Sequence, residues 1–169
     1  MGIFVFHDYG VSREYVVTKL SIESLEIDKT YCLEVYLRLL NVCKYGTSSI
    51  GIAFSKDSIF YNSNITPVLT SLNFALKPHS PIVDTENWVL VKGKYKANGD
   101  EKFLIIGNFN TDSNTDIIEV EQKDSTLNYF PFSYYIIDDV WLFTSAKKTA
   151  YPQSHPLPAI ARCITKYPM

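Results

Sequence analysis

YYIIDDVWLF, residues 134–143, combines aromatic and β-branched residues with two adjacent carboxylates, Asp138 and Asp139. Aromatic and β-branched residues favour strands, and a nearly continuous apolar run is typical of a strand packed between two apolar layers. A carboxylate inside such a layer is costly unless backbone amides, a cation or water pair with it. We therefore expect a strand inside a packed sheet, with partners for both carboxylates.

The clearest alternation in the chain lies at residues 30–40, where every second residue is apolar. A period of two is typical of a strand with one face on the core and the other toward water or a ligand. The predicted core face carries Tyr31, Leu33, Val35, Leu37 and Leu39, and the other face carries Cys32, Glu34, Tyr36 and Arg38.

Further short strands are predicted at residues 3–6, 15–20, 48–54, 88–95 and 103–109. Asn98-Gly99-Asp100 is a strong hairpin signal between the last two. Frequent turns and the lack of a convincing amphipathic helix predict an all-β fold, an antiparallel β-sandwich, over residues 1–144. Residues 145–169 contain four prolines and no hydrophobic period, and we expect an irregular C-terminal tail or linker there.

Composition excludes several classes of protein. Hydrophobic residues make up 46% of the 169, and 12 Tyr, 10 Phe and 2 Trp are too many aromatic residues for a disordered chain. The net charge is −2 with scattered Lys and Arg, so no basic stripe suggests a nucleic-acid partner. No apolar run approaches the ~20 residues of a membrane span, and the N-terminus lacks the basic region of a signal peptide, so we expect no direct membrane insertion.

Cysteine spacing leaves the redox compartment open. Cys32, Cys43 and Cys163 are odd in number and lack the spacing of a metal site. Buried free thiols are the favoured interpretation. A Cys32–Cys43 disulfide is disfavoured, because residues this far apart along one extended strand exceed disulfide reach.

The order of several segments resembles a known family. Residues 13–20, 25–31, 50–55, 87–89, 99–109 and 135–140 are together similar to the galactose-binding-like jelly-roll domains of bacterial cell-surface and secreted proteins. Such domains are related in form to carbohydrate-binding modules and often stand beside an OmpA-like peptidoglycan-binding domain. The chain departs from the family by starting after its usual N-terminal portion, including a first strand with an Asn-x-x-Phe-Glu-type motif.

The resemblance implies a jelly-roll topology and a non-catalytic carbohydrate-binding module of an exported protein, extracellular or associated with the outer membrane. Its partner would be a glycan or polysaccharide. The alternative function is a structural or adhesive module that docks neighbouring envelope domains and binds no sugar. In the family, a carboxylate at the position of Asp138 helps hold a structural calcium, whose preferred ligands are oxygens. The N-terminal partner of that site is missing here, and the alternative is a carboxylate bonded to loop amides.

The candidate ligand residues are those whose side chains we expect to be exposed on a strand face or in a loop. Tyr36 and Arg38 share the polar face of one strand, and Tyr45 and Tyr61 lie in predicted loops. Asn108 and Asn110 begin a loop that could offer amide hydrogen bonds to sugar hydroxyls; its spacing lacks the glycine and closing glutamate of an EF-hand. Trp88 and Trp141 could stack on sugars, but large aromatic residues in strands more often fill the core, and we expect core packing for both.

Catalytic motifs are lacking in the sequence. His7, His79 and His155 lie near no nucleophile motif, and neither G-x-S-x-G nor H-E-x-x-H occurs. Adjacent acids on opposite faces of a strand cannot face each other across a cleft as the paired carboxylates of a glycosidase do. We therefore expect a binding protein and no enzyme.

Overall fold

The computed structural model describes residues 1–9, 13–59, 68–122 and 126–144. Nine strands and one short 3₁₀ helix occur in these ranges. The strands are β1 (Gly2–His7), β2 (Val16–Lys19), β3 (Thr30–Leu39), β4 (Tyr45–Thr47), β5 (Gly51–Ser55), β6 (Val89–Lys96), β7 (Phe103–Gly107), β8 (Ile117–Glu119) and β9 (Phe132–Thr144). The 3₁₀ helix spans Asp112–Asn114. The tail predicted at residues 145–169 lies outside the described ranges.

Two antiparallel sheets make up most of the fold. The first sheet has the strand order β1-β9-β3-β6 and the second has the order β2-β7-β5, while β4 and β8 form a separate two-stranded ribbon. Every pair of these strands is antiparallel. The predicted all-β, antiparallel architecture is thus confirmed. A jelly roll has eight strands in two sheets, and the more specific jelly-roll topology stays a prediction.

The core lies between the two sheets. Along β3 the side chains alternate between buried and half-buried, and Tyr31, Leu33, Val35, Leu37 and Leu39 are all at most 3% exposed. They join Ile52, Phe54, Leu104 and Ile106 of the second sheet in one apolar cluster. The alternation seen in the sequence therefore assigned the core face of β3 correctly.

The second sheet is covered on both faces. Its side chains that point away from the core, Ala53 and Ile105, pack with Leu69 and Phe109 in a smaller buried cluster. Segments on either side, including Tyr15, Leu72 and Phe74, complete this cover. Any broad surface that a strand face offers to a ligand must therefore come from the first sheet.

A bulge interrupts β9 at the two adjacent carboxylates. Glu34 of β3 lies opposite Trp141 whereas Tyr36 lies opposite Asp138, so β9 contains one extra residue between them. Asp139 has a φ of 43°, in the left-handed region that one residue of a G1-type bulge adopts. Both Asp138 and Asp139 are exposed. The expectation that they point to opposite faces of a regular strand is wrong, because the bulge breaks the alternation between them.

A buried carboxylate holds the turn between β6 and β7. The hairpin predicted there is wrong, because β6 pairs with β3 in the first sheet while β7 pairs with β2 and β5 in the second, so the turn leads from one sheet to the other. Glu101 is only 4% exposed and accepts hydrogen bonds from the backbone amides of Asn98 (2.7 Å), Gly99 (2.8 Å) and Asp100 (3.1 Å). It also accepts one from the hydroxyl of Tyr95 (2.6 Å). Removal from water acts to raise the pKa of Glu101, but these hydrogen bonds outweigh it and lower the pKa below its ordinary value.

Two smaller findings complete the fold. Cys32 and Cys43 are free thiols, as expected, and Cys163 lies outside the described ranges. β8 lies outside the two sheets and pairs only with β4 among the described strands. No helix in the described part of the chain is long and apolar enough to cross a membrane.

Candidate functional site

The candidate site is the face of the first sheet that points away from the core, which we call the open face. Its members come from three adjacent strands, β9, β3 and β6, and from the residue before β6. They are Ile136, Asp138, Trp141 and Phe143 of β9, Cys32, Glu34, Tyr36 and Arg38 of β3, and Trp88, Leu90, Lys92 and Lys94 on the β6 side. All are half-buried or exposed.

Strand register brings three predicted site residues together on the open face. Tyr36 lies directly opposite Asp138 on β9 and directly opposite Leu90 on β6. Arg38 follows on the same face of β3, opposite Ile136. Residues opposite each other in an antiparallel pair have Cβ atoms only ~5 Å apart. A phenol ring, a guanidinium group and a carboxylate thus lie within reach of one ligand.

Trp88 contributes an aromatic ring next to Arg38. The guanidinium carbon of Arg38 lies 5.1 Å from the centroid of the Trp88 ring, within the range of a cation–π contact. Nη1 of Arg38 also donates to the carbonyl of Glu86 at 3.4 Å. Trp88 is 40% exposed, so the expectation that it packs in the core is wrong. Trp88 is an even number of residues away from Lys92 and Lys94, so in an extended strand all three side chains lie on the same face. This spacing was the signal in the sequence that the Trp88 ring points outward.

Trp141 also lies on the open face. It is half-buried between Val140 and Leu142, which are both buried, and it faces Glu34 of β3. The core position expected for it is wrong, since its two neighbours occupy the core side. Counting alternate residues along β9 could not have predicted the direction of Trp141, because the bulge at Asp139 reverses the alternation just before it.

The Asn108 and Asn110 amides serve the interior of the protein. Asn108 is fully buried; its Nδ2 donates to the carbonyl of Val5 (3.1 Å) and to Oγ1 of Thr115 (2.9 Å), and its Oδ1 accepts from the amide of Asn110. Nδ2 of Asn110 donates to Oγ of Ser49 at 3.1 Å. The prediction that these two side chains offer exposed amides to a ligand is therefore wrong. Their hydrogen bonds stabilise the loop after β7, and they are not part of the candidate site.

Tyr45, another predicted ligand residue, does not join the open face. Tyr45 pairs with Glu119 in the β4–β8 ribbon, and its ring meets Phe6 edge to face at 5.8 Å between centroids. Tyr61 lies outside the described residues. The candidate site therefore keeps Tyr36, Arg38 and Asp138 of the predicted set and adds Trp88 and Trp141.

The calcium predicted at Asp138 has limited support from its surroundings. Oδ1 of Asp138 accepts a hydrogen bond from the backbone amide of Asp139 at 3.0 Å, which is the kind of partner that the sequence offered as the alternative. In the described ranges, no group of three or more His, Cys, Asp or Glu side chains could hold a metal ion. A calcium site would need further oxygen ligands beyond this pair, and it stays a prediction.

Comparisons of the chain with protein-family models, with curated proteins and with solved structures found no match. The resemblance to galactose-binding-like domains therefore stays an expectation from the sequence.

Proposed function

We propose that this protein is a non-catalytic carbohydrate-binding module whose ligand lies on the open face. The observation that carries the proposal is the joint placement of Tyr36, Arg38 and Asp138 with two outward tryptophans, Trp88 and Trp141, on one sheet surface. The sequence pattern predicted Tyr36 and Arg38 on one strand face and Asp138 on another strand, and strand register brings the three together.

The mixture of groups on the open face suits a sugar. A pyranose has apolar C–H faces and a rim of hydroxyls, and an aromatic ring packs well against such a C–H face. Asp138 can accept hydrogen bonds from hydroxyls, and the guanidinium of Arg38 can donate several. Apolar platforms with a few placed polar groups are the usual design of small-ligand sites. A rigid sheet also holds these groups in place before a ligand arrives, which lowers the entropic cost of binding.

The proposal includes the export that the family resemblance implies. In that hypothesis the protein is extracellular or associated with the outer membrane, and the open face binds a glycan or polysaccharide there. The sandwich would then present the sheet surface while adding no catalytic step.

The second candidate function is a structural or adhesive module that docks another protein domain. One observation favours it: exposed apolar side chains occur on and near the first sheet, among them Leu90 at 39% and Phe130 at 46%. Phe130 stacks on Phe132 at 5.5 Å between centroids, and Phe132 packs on Phe4 at 5.1 Å. An apolar surface of this kind would suit a protein partner.

Affinity electrophoresis through gels that contain single polysaccharides tests the first function. We expect at least one member of a panel of neutral and acidic polysaccharides to retard the protein. Tyr36→Ala and Trp88→Ala should each abolish most of that retardation. The matched control is Tyr9→Ala, because Tyr9 is an aromatic residue that is 82% exposed and belongs to none of the three strands of the open face.

Circular dichroism first establishes that every variant is folded. Retardation that survives both open-face changes, or that Tyr9→Ala removes equally, would place the ligand elsewhere. No retardation of folded protein by any polysaccharide would contradict the carbohydrate-binding function and favour the docking module.

A further inference from the structure

We infer, on the basis of the proposed function, that the ligand is an extended acidic polysaccharide chain crossing the open face diagonally over Trp141, Tyr36 and Trp88. Strand register supports the path of the chain, and the charges beside that path support its acidic character.

Strand register places the three residues on one diagonal across three adjacent strands. Trp141 of β9 is level with Glu34, which is two residues before Tyr36 on β3. Leu90 of β6 is level with Tyr36, so Trp88, two residues earlier, is level with Arg38. The 5.1 Å contact between Arg38 and the Trp88 ring agrees with this extrapolated register. Each step therefore crosses one strand and advances two residues in the same direction.

The length of this line matches a chain better than a single sugar. Diagonal neighbours on adjacent antiparallel strands are about 7–8 Å apart, so two steps span roughly 15 Å. One sugar ring covers one aromatic side chain, and a line of three rings offers separate stacking positions to successive units of a linear chain. A ligand that touched only one ring would leave the other two exposed to water.

Charges differ between the two sides of the line. Lys92 and Lys94 lie on β6 beside it, and both are exposed. Lys92 is opposite Glu34 of β3, whose carboxylate offsets its charge, whereas Lys94 is opposite Cys32, which carries no charge. On the other side lies Asp138, a hydrogen-bond acceptor for hydroxyls. A chain that carries carboxylates along one edge and hydroxyls along the other complements this arrangement. Arg38, at the Trp88 end, adds a donor that favours carboxylates in two-point contacts.

The negative net charge of the protein disfavours nonspecific binding of polyanions. The whole chain carries −2 at pH 7, so a preference for an acidic chain must come from local cations and not from the net charge. Such a preference therefore reports on Lys94 and Arg38, with a smaller part from Lys92, which lies opposite Glu34.

Isothermal titration calorimetry with galacturonate oligomers of one to six units, and with the same oligomers fully methyl-esterified, tests the inference. We expect affinity to rise steeply with length until the three rings are covered, and to level off beyond that. The acidic series should bind about tenfold or more tightly than the neutral esters at low salt, and added salt should reduce the difference.

Variants separate the two parts of the site. Tyr36→Ala should lower affinity for the long oligomers by about tenfold or more, and affinity for the single sugar far less. The double variant Lys92→Gln, Lys94→Gln should remove much of the preference for the acidic series. Lys19→Gln with Lys56→Gln is its matched control, because both lysines are exposed and Lys19 belongs to the second sheet.

The outcomes distinguish the two proposals. If a monomer binds as tightly as a hexamer, or if neutral and acidic oligomers bind equally, the inference fails while the carbohydrate-binding function stands. If neither this series nor any polysaccharide binds folded protein, both fail.

Discussion

Replacing Tyr135 by Phe removes one hydroxyl from a fully buried side chain of the core. Tyr135 is fully buried, and its hydroxyl accepts a hydrogen bond from the amide of Thr47 at 2.8 Å. The same hydroxyl lies 2.8 Å from the carbonyl of Ile82 and 3.1 Å from that of Thr47, to which it can donate. One side chain on β9 thereby joins the first sheet to β4 and to the segment at residue 82. Burial raises the pKa of this hydroxyl, so it remains a donor up to high pH.

The expected cost follows from the groups left behind. Tyr135→Phe orphans a buried amide and a buried carbonyl, and each such group costs about 1–3 kcal/mol. The absent hydroxyl no longer has to be desolvated, which offsets part of this cost. We expect the free energy of unfolding to fall by about 2–3 kcal/mol, with Tm lower by about 4–10 °C for a chain of this length.

Urea unfolding followed by circular dichroism measures this change. The midpoint should fall while the slope stays the same, which indicates a loss of stability without a change in the surface exposed on unfolding. The matched control is Tyr134→Phe: the Tyr134 ring is half-buried, and no described residue is a hydrogen-bond partner of its hydroxyl. We expect it to stay within about 0.5 kcal/mol of the wild type. Equal effects of the two variants would refute the role given to the Tyr135 hydroxyl.

Two other perturbations test the turn between β6 and β7 and the bulge in β9. The lowered pKa of Glu101 means that its contribution to stability is fully present above its ordinary value of 4.5 and is lost as pH falls through the lowered pKa. We therefore expect Glu101→Gln to cost about 2 kcal/mol at pH 7 and to flatten the fall in stability below pH 4.5, as followed by urea unfolding at several pH values; an unchanged slope would contradict this. At the bulge, Asp139→Val should cost about 1–2 kcal/mol because a β-branched residue tolerates the left-handed region poorly, whereas Asp139→Gly should cost less. Equal costs of the two substitutions in thermal unfolding would show that Asp139 has no such constraint.

Local pattern was enough to predict β3 and its surroundings. A period of two assigned all five core residues of β3, and it placed Tyr36 and Arg38 on the opposite face. Asn98-Gly99-Asp100 predicted the turn between β6 and β7, where Gly99 adopts a φ of 106°, although the pairing of those two strands into a hairpin was wrong. These features depend on interactions close in sequence or on a simple partition between apolar and polar side chains, so the residues themselves carry the information.

Asn108 shows where the same approach fails. An asparagine in a loop rich in Asn and Asp suggests an exposed side chain, yet this one is fully buried. Its partners include Val5, which is 103 residues away. A hydrogen bond of that kind exists only once distant strands have packed, and no local pattern reports it.

By itself, the sequence determined the antiparallel strand class, the core face of β3 and the outward position of Tyr36 and Arg38, because side-chain alternation is a local property of an extended chain. Only the tertiary structure decided which residues meet on the open face. The pairing of Tyr36 with Asp138 depends on the register between β3 and β9, and the outward direction of Trp141 depends on the bulge at Asp139. Register and bulges arise from cooperative packing of strands roughly a hundred residues apart in the chain, so one residue more or less in β9 turns a core side chain into a surface one.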